Sequence, residues 1–558
     1  MKKSAARQIF LCFFLVWGTV LWAQSSPAIF YSDLDSGPSN GGENNNGAWI
    51  TLYGKGFGVS QGTVLIGGQP AAAYKQWSDG KISFQPGAGA PGGATTISVK
   101  AANNAASNSV PFTVRPGNIF FVSNAGNDSN NGSFAAPWKT IVHAKNTIAA
   151  GDIAYIMNGV SQTAVDDNNA SLDVFSAGAP GNPKALVAYP GATVVIGSVT
   201  GPEFAVRTPA ISGGPFSYWT LAGFVLRGNN ESLDLVQVTN WRIVANDMSC
   251  PTGDGETACL ATENASNLVV LGNTVHDSGA IGSSKTYHSM YFSTDSNHIE
   301  VGWNVVANNH SCRGIQFHST GSNNQFDLNV HDNLIHGQVC DGINFATIDP
   351  SKGPVLAYNN IVYSVGLGPD PPDGGSNYSC IYSAGITNAG PVGTGTAQIF
   401  NNTLYDCGPW GVSAGSSAAG AISVQGGSPH VQFVDNIIVT LPGEINLGSS
   451  TDTTLISGSH NVFGNVLNGV PGAGAGIPQF TNNITADPKF AGAAVANFHL
   501  LSGSTAIDGG VTPPVLISHD FDGNPRPSGV AFDVGAFEVV SNAVGSPNPP
   551  TGLKAVAH

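Results

Sequence analysis

Charged side chains are scarce in this sequence. Asp, Glu, Lys and Arg together make up 10% of the 558 residues, and 35 acidic residues outnumber 20 basic ones. The formal charge of −15 leaves no global positive field to hold a polyanion, so nucleic acid is not expected as a partner. No CxxC pair occurs, which disfavours a cysteine zinc site or a dithiol redox motif. Beyond Ala23 there is no long apolar run, so no transmembrane segment is expected in the mature chain. What the chain has in excess is glycine, 72 residues of it, with abundant Asn and Ser. That composition describes many short strands joined by turns, with little demand for helix.

The first 23 residues carry Lys2, Lys3 and Arg7, then an apolar run from Ile9 to Trp22, then Ala23. Basic, apolar and small residues in that order read as a secretory signal peptide, and a secreted, extracellular or cell-surface location follows. Loss of this segment takes the charge to −18 and leaves 17 Lys and Arg residues. Cys12 leaves with it, and Cys250, Cys259, Cys312, Cys340, Cys380 and Cys407 remain. An even count in an exported chain points to disulfides. A chain this long should form two or three domains unless a repeat lets it grow in one dimension.

Residues 27–115 alternate short apolar strands with glycine turns, as in "WITLYGKGFG" and "GTVLIGG", and predict a small β-sandwich. Gly54, Gly56, Phe57 and Gly58 in one turn, with Val64, Ile66 and Gly67 in the next strand, resemble the IPT/TIG immunoglobulin-like domain. The resemblance implies a spacer or binding module without catalytic residues of its own.

From residue 118 the pattern changes. Gly126, Asp128, Gly132, Pro137, Thr140, Ile141, Gly151 and Asp152 resemble the N-terminal entry of pectate-lyase-like β-helix proteins. Ile141, Ala144, Ile148 and Ala149 fall near one face of a helix that would close the open end of a solenoid. Asp128 and Asp152 are read as turn-holding residues rather than calcium ligands. An asparagine followed by apolar residues then recurs at Asn246, Asn273, Asn304, Asn333, Asn360, Asn402, Asn436 and Asn461, at intervals of 27, 31, 29, 27, 42, 34 and 25 residues. Units of this size cannot bury an apolar face alone and must stack, the two long intervals marking loop insertions. The asparagines, and His276, His336, Tyr363 and Tyr405 three residues after four of them, are read as stacked turn residues.

A closing segment with Ser504, Ala506, Ile507, Asp508, Gly509, Asp520, Gly523, Arg526, Pro527, Asp533, Gly535 and Glu538 resembles the end of bacterial surface β-helix proteins. Its charged residues are expected to pair and blunt the final coil. The fold class is therefore all-β: a right-handed parallel β-helix over 118–540, preceded by the sandwich and followed by a linker or tail at 541–558.

Three coils can be superposed on "HSMYFST", "RGIQFHS" and "DGINFAT", which makes His288, Arg313 and Asp341 vertical neighbours about 4.8 Å apart. Met290, Phe292, Ile315, Phe317, Ile343 and Phe345 should face the core, leaving Tyr291, Gln316 and Asn344 outside, with Ser293, His318 and Ala346 beside them. Strict alternation would turn the His288 column inward, so a break in parity before Met290 is required. A further column one turn earlier is expected to hold Lys285, His310 and Gln338. The same register brings Cys312 to Cys340 and Cys380 to Cys407, while Cys250 and Cys259 close a loop.

Lys285, His288, His310, Arg313 and His318 form a basic cluster on an acidic chain and invite an acidic partner. The pectate-lyase-like resemblance implies a polysaccharide on the outer face of these strands. Elimination needs a cation for the uronate carboxylate, a base and an acid: Arg313 for the first, Lys285 or His288 for the second, Tyr291 or His318 for the third. His310, Gln316 and Asn344 would bind substrate. A glycosidase needs two flanking carboxylates, and Asp341 alone qualifies in these columns, which favours the lyase. The acidic and paired-aspartate motifs of the well-known lyase and polygalacturonase families are absent, and calcium use stays open. The alternatives are a hydrolase on the same fold and a non-catalytic glycan-binding or adhesion protein. The latter should show aromatic platforms, and Tyr291 is the one ring placed in the groove. A monomer is expected.

Overall fold

The structure, a computed structural model, describes residues 26–209, 214–385, 395–449, 451–464 and 480–540. The expected leader and tail lie outside the described residues.

Alternation decides the N-terminal domain. In Thr63–Ile66, Val64 and Ile66 are buried and their neighbours are not, the period of a strand with one face on a core. Two small sheets of four and five strands enclose Trp49, Ile50, Leu52, Phe57, Ile82 and Phe84. The same cluster continues into the solenoid through Ile153, Tyr155, Ala185, Val187, Val244 and Leu271. The Tyr155 hydroxyl donates to the Trp49 carbonyl at 2.7 Å, so the sandwich shares one core with the first sheet behind it.

From Ile119 the chain winds into three parallel sheets of 13, 12 and 9 strands. This is the expected β-helix. The corner between first and second sheets is built from two residues, one with positive φ and then an asparagine: Trp303 (φ 54°) before Asn304, Asp332 (53°) before Asn333, Asn359 (53°) before Asn360. Each asparagine accepts the backbone N–H of its counterpart one coil below and donates its amide to that counterpart's coil. Asn273 N–H reaches Asn304 Oδ1 at 2.9 Å, and Asn304 Nδ2 donates to Val270 O at 2.9 Å and to Asn333 Oδ1 at 3.0 Å. The ladder runs unbroken from Asn246 to Asn461 and adds a rung at Asn483 that the sequence reading did not include. His276, Ala307, His336, Tyr363 and Tyr405 stack in one column of the second sheet, the His336 and Tyr363 rings 4.9 Å apart.

The helix Ile141–Thr147 starts at Thr140, whose side chain accepts from His143 N–H, and buries Ile141 and Ala144 against the first coil. Ala149 lies beyond it and is exposed. Asp128 holds the N–H groups of Lys139 and Thr140, and Asp152 holds those of Asn118 and Ala149.

The closing segment pairs Arg526 with Glu538 at 2.9 Å, both side chains fully buried. Its place differs from the expectation of a plug on the last coil. It runs along the side of the solenoid, where Asn359 and Asn401 donate to the His519 and Asp533 carbonyls and Ala536 N–H reaches Thr403 Oγ1. The physical reason is a stripe of outward apolar residues on the second sheet, among them Ile361, Ile437, Val439 and Val462, which Leu500, Phe498, Val534 and Phe537 cover.

Candidate functional site

The third sheet carries nine strands, of which Glu231–Val236, Ala258–Glu263, His288–Ser293, Arg313–His318, Ile343–Phe345 and Tyr378–Ser383 are central here. Met290, Phe292, Ile315, Phe317, Ile343 and Phe345 are buried, and the Phe317 ring stacks on Phe292 at 5.0 Å and on Phe345 at 5.5 Å. His288 pairs with Arg313, Tyr291 with Gln316 and Ser293 with His318; Gln316 then pairs with Asn344.

The required break in parity is present: the next residue on each coil, Ser289, Gly314 or Gly342, turns inward, and on two of the three coils it is glycine. A Cβ on Gly314 would lie 2.6 Å from the Gly342 carbonyl and 3.2 Å from Ile335, and one on Gly342 2.5 Å from Val362; Ile335 and Val362 are core residues. These positions therefore point inward, as Met290 and its equivalents also do, so the residues before them, His288, Arg313 and Asp341, stay on the outer face. The three expected disulfides all form, Cys250–Cys259, Cys312–Cys340 and Cys380–Cys407, with Cα separations of 5.5, 4.6 and 5.4 Å.

Over this face lies an open cavity of about 390 Å³, lined by His288, Tyr291, Arg313, Gln316, His318 and Asn344 among the expected residues. Asp341 sits beneath it, completely buried, and takes hydrogen bonds from Arg313 Nε at 3.3 Å, Asn344 Nδ2 at 2.8 Å and Ser379 N–H at 2.9 Å. Arg313 also donates from Nη1 to the Lys285 carbonyl and Gln316 Oε1, both at 3.2 Å, and from Nη2 to Ser376 Oγ at 2.7 Å. One of its five N–H bonds is left over for a ligand. Burial lifts Asp341 to about 6, although Arg313 pulls the other way. Burial and then Arg313 push His288 well below the ordinary imidazole range, and the same causes lower His318. Both rings are neutral at pH 7. Burial raises Tyr291 to about 12; its hydroxyl lies 3.1 Å from His318 Nδ1. His288 Nδ1 and Asn344 Oδ1 are buried without a partner among the described residues.

Two expected residues are elsewhere. Lys285 is outside the cavity lining, with Nζ donating to the Asp373 carbonyl at 3.2 Å and its own N–H to Asp373 Oδ1 at 3.0 Å. His310 turns toward Asp277, 3.7 Å away, on the second-sheet side. The expected Lys285–His310–Gln338 column fails because Gln338 pairs with Asn309, one residue earlier. Lys285 precedes its strand rather than lying in one.

Sequence reasoning missed Glu256, Thr286, Asn377 and Tyr382, which are also part of the lining. Glu256 lies in the loop closed by Cys250 and Cys259. Asn377 and Ser376 belong to the insertion that stretches one repeat to 42 residues, a visible signal whose destination was not. Tyr382 pairs with Asn344 and was recoverable by aligning "CIYS" with "GINF". It is a second aromatic ring on a face where Tyr291 alone was expected. Among the described residues no cluster of three or more His, Cys, Asp or Glu side chains is arranged to hold a metal ion. No described helix is long and apolar enough to cross a membrane.

The family model for the IPT/TIG domain matches residues 35–114. Residues 35–114 are an IPT/TIG domain. For the solenoid, the pectate lyase Pel9A structure is similar over 75% of this chain and 96% of its own, at 13% identity and a TM-score of 0.50. A family 28 exopolygalacturonase from Yersinia enterocolitica aligns over 75% of this chain and 90% of its own, at 12% identity and a TM-score of 0.41. A rhamnogalacturonan lyase aligns over 66% and 85%, at 12% identity and a TM-score of 0.32. The solenoid behind the IPT/TIG domain is a parallel β-helix, similar in fold to the Pel9A structure. No curated protein matches the sequence.

Proposed function

We propose that the protein is an extracellular polysaccharide lyase that cleaves a uronate-containing chain by β-elimination in the cavity over His288, Arg313 and Asn344. One observation carries this reading: a neutral imidazole, a protonated phenol and a guanidinium with a spare N–H converge on a single open cavity. Arg313, with Gln316 and Asn344, receives the uronate carboxylate and stabilises the charge that grows there as the neighbouring C–H bond breaks. His288 takes the C5 proton; the electron pair forms the C4–C5 double bond, the C4–O bond breaks, and Tyr291 protonates the departing oxygen. His318 lies against the phenol, and as product leaves the phenolate regains a proton from solvent by relay through this neutral ring while His288 releases to solvent the proton it took. Lys285 has no part in this.

Hydrolysis is less well supported. It needs two carboxylates beside the scissile bond, and Glu256 is the one carboxylate among the described residues that line the cavity. Incubation with polygalacturonate, alginate and glycosaminoglycans should raise the ultraviolet absorbance of unsaturated uronates on at least one of them, and Arg313→Ala should cut the rate by about 100-fold or more. No unsaturated product from any acidic polymer, with reducing ends appearing on a neutral glycan, would replace this reading with hydrolysis.

A further inference from the structure

The cavity crosses five coils, and its two charges stand on different ones. The pairing of Ala258 with His288 puts Glu256 one coil below His288 and Tyr291. Arg313, Gln316 and His318 lie one coil above that pair, Asn344 a further coil up, and Asn377 and Tyr382 on the coil beyond. At about 4.8 Å per coil, the coil of Glu256 is about 10 Å from that of Arg313 and about 19 Å from that of Tyr382. Arg313 is the one Lys or Arg, and Glu256 the one carboxylate, among the described residues that line the cavity.

The backbone of Glu256 is fixed while its carboxyl group is left free. The Cys250–Cys259 disulfide closes the loop that carries it. On one side Asp254 N–H donates to Asn230 Oδ1 at 2.9 Å, Asp254 Oδ1 accepts from Ser284 N–H at 2.8 Å, and the Gly255 carbonyl accepts from Thr286 Oγ1 at 3.2 Å. On the other, the Thr257 carbonyl accepts from His288 N–H at 2.9 Å. The Glu256 side chain is exposed and makes no hydrogen bond or ion pair with a described residue. Lys285, next to Thr286 on the coil above, turns to the Asp373 carbonyl instead. The charge of Glu256 is felt at the reacting groups, adding to burial in raising Tyr291 and opposing burial at His318. A carboxylate without a counter-ion on the wall of a binding cavity accepts from donors and repels a second carboxylate.

In the elimination reading the uronate carboxylate lies at Arg313, Gln316 and Asn344, and Tyr291 protonates the oxygen that leaves. The departing sugar then extends past Tyr291, away from those three residues, to the coil of Glu256. We propose that Glu256 is a specificity-determining residue that bars a carboxylate from the departing sugar, so that the chain cleaved alternates a uronate with a sugar bearing none. The proposal rests on the elimination reading and narrows its substrate class. A homopolymer of uronates sets its next carboxylate against Glu256, whereas a neutral or N-acetylated sugar offers hydroxyl and amide donors that this carboxylate accepts.

The test compares polymers that share a uronate and differ in the departing sugar: polygalacturonate with a rhamnogalacturonan backbone, and a linear polyglucuronate with hyaluronan. Initial rates of unsaturated uronate formation should give the alternating member of the active pair a kcat/KM at least about tenfold higher at low ionic strength, and the gap should narrow in salt. Glu256→Gln should shrink that gap at least about fivefold, through a lower KM for the homopolymer. A wild-type protein that cleaves the homopolymer as well as its partner, or a gap that Glu256→Gln leaves unchanged, would overturn the proposal while elimination itself stood. The wild-type comparison can overturn it alone, should the variant not fold. If no polymer yields an unsaturated product, the elimination reading falls, and calorimetric titration with tetragalacturonate decides the role of Glu256 by itself. Glu256→Gln should then bind that oligomer at least about fivefold more tightly than the wild type, and equal affinity, or binding to neither protein, would remove the role as well.

Discussion

Arg313 is crowded with partners that are not substrate: Asp341 below, Gln316 and the Lys285 carbonyl beside it, Ser376 from an inserted loop. That crowding fixes the plane of the guanidinium before any ligand arrives, which is how a binding group avoids reorganisation cost at the moment of reaction. It also ties activity to the ionisation of Asp341. Its pKa is lifted to about 6 by burial, so above that pH the carboxylate grips Arg313 and below it the grip is lost. The expected pH profile of kcat/KM has an acidic limb near 6 and no alkaline limb from the Tyr291 phenol until about 12. In Asp341→Asn the acidic limb should disappear and the plateau should drop, while a limb unchanged by the substitution would show that another group controls it.

At the scale of the elements, the asparagine ladder is the feature most plainly written in the chain. Asn304→Ala would strand the Asn273 N–H in a dry corner and take one partner each from the Asn273 amide, the Val270 carbonyl and the Asn333 amide oxygen. With about 1–3 kcal/mol for each buried polar group left unpaired, a loss of about 3 kcal/mol is expected in urea unfolding, against little change for an exposed loop asparagine such as Asn131. The repeat was legible because a stacked corner needs the same side chain at every turn, and so were the disulfides and the His288–Arg313 register. Asn483 escaped because it comes only 22 residues after Asn461. The loops were opaque for a different reason. Periodicity reports where a strand lies, but Ser376, Asn377 and Glu256 reach the cavity through insertions that follow no period, and Lys285 looked available because the sequence could not show Asp373 coming back across 88 residues to hold it.

In the whole molecule, the N-terminal strand Ala28–Ser32, the flank of the solenoid and the closing segment meet at Trp303. Its ring lies 6.0 Å from Phe30 on one side and 6.0 Å from His519 on the other. Beneath it Asp332 accepts from His331 at 2.8 Å and from His519 at 3.2 Å, and Glu300 takes the other nitrogen of His331. Burial alone would discharge His331, but Asp332 and Glu300 prevail and hold it at about 9. A histidine whose folded pKa is raised from 6.5 contributes stability that is complete below pH 6.5 and lost as pH climbs through 9. The stake is on the order of 3 kcal/mol, to be read as a fall in urea midpoint between pH 7 and pH 10 that His331→Gln should largely abolish.

Lys55 of the N-terminal domain also touches the closing segment directly, its Nζ donating to Asn524 Oδ1 at 3.1 Å. Solenoids ordinarily tolerate the gain or loss of a coil, because each turn answers only to its two neighbours. Here one turn more or fewer between residues 303 and 359 would slide Asn524 by about 4.8 Å past Lys55 and pull His519 off Trp303. The strap between the two ends acts as a ruler: it counts the turns, and a duplicated or deleted repeat would be measured against it and rejected.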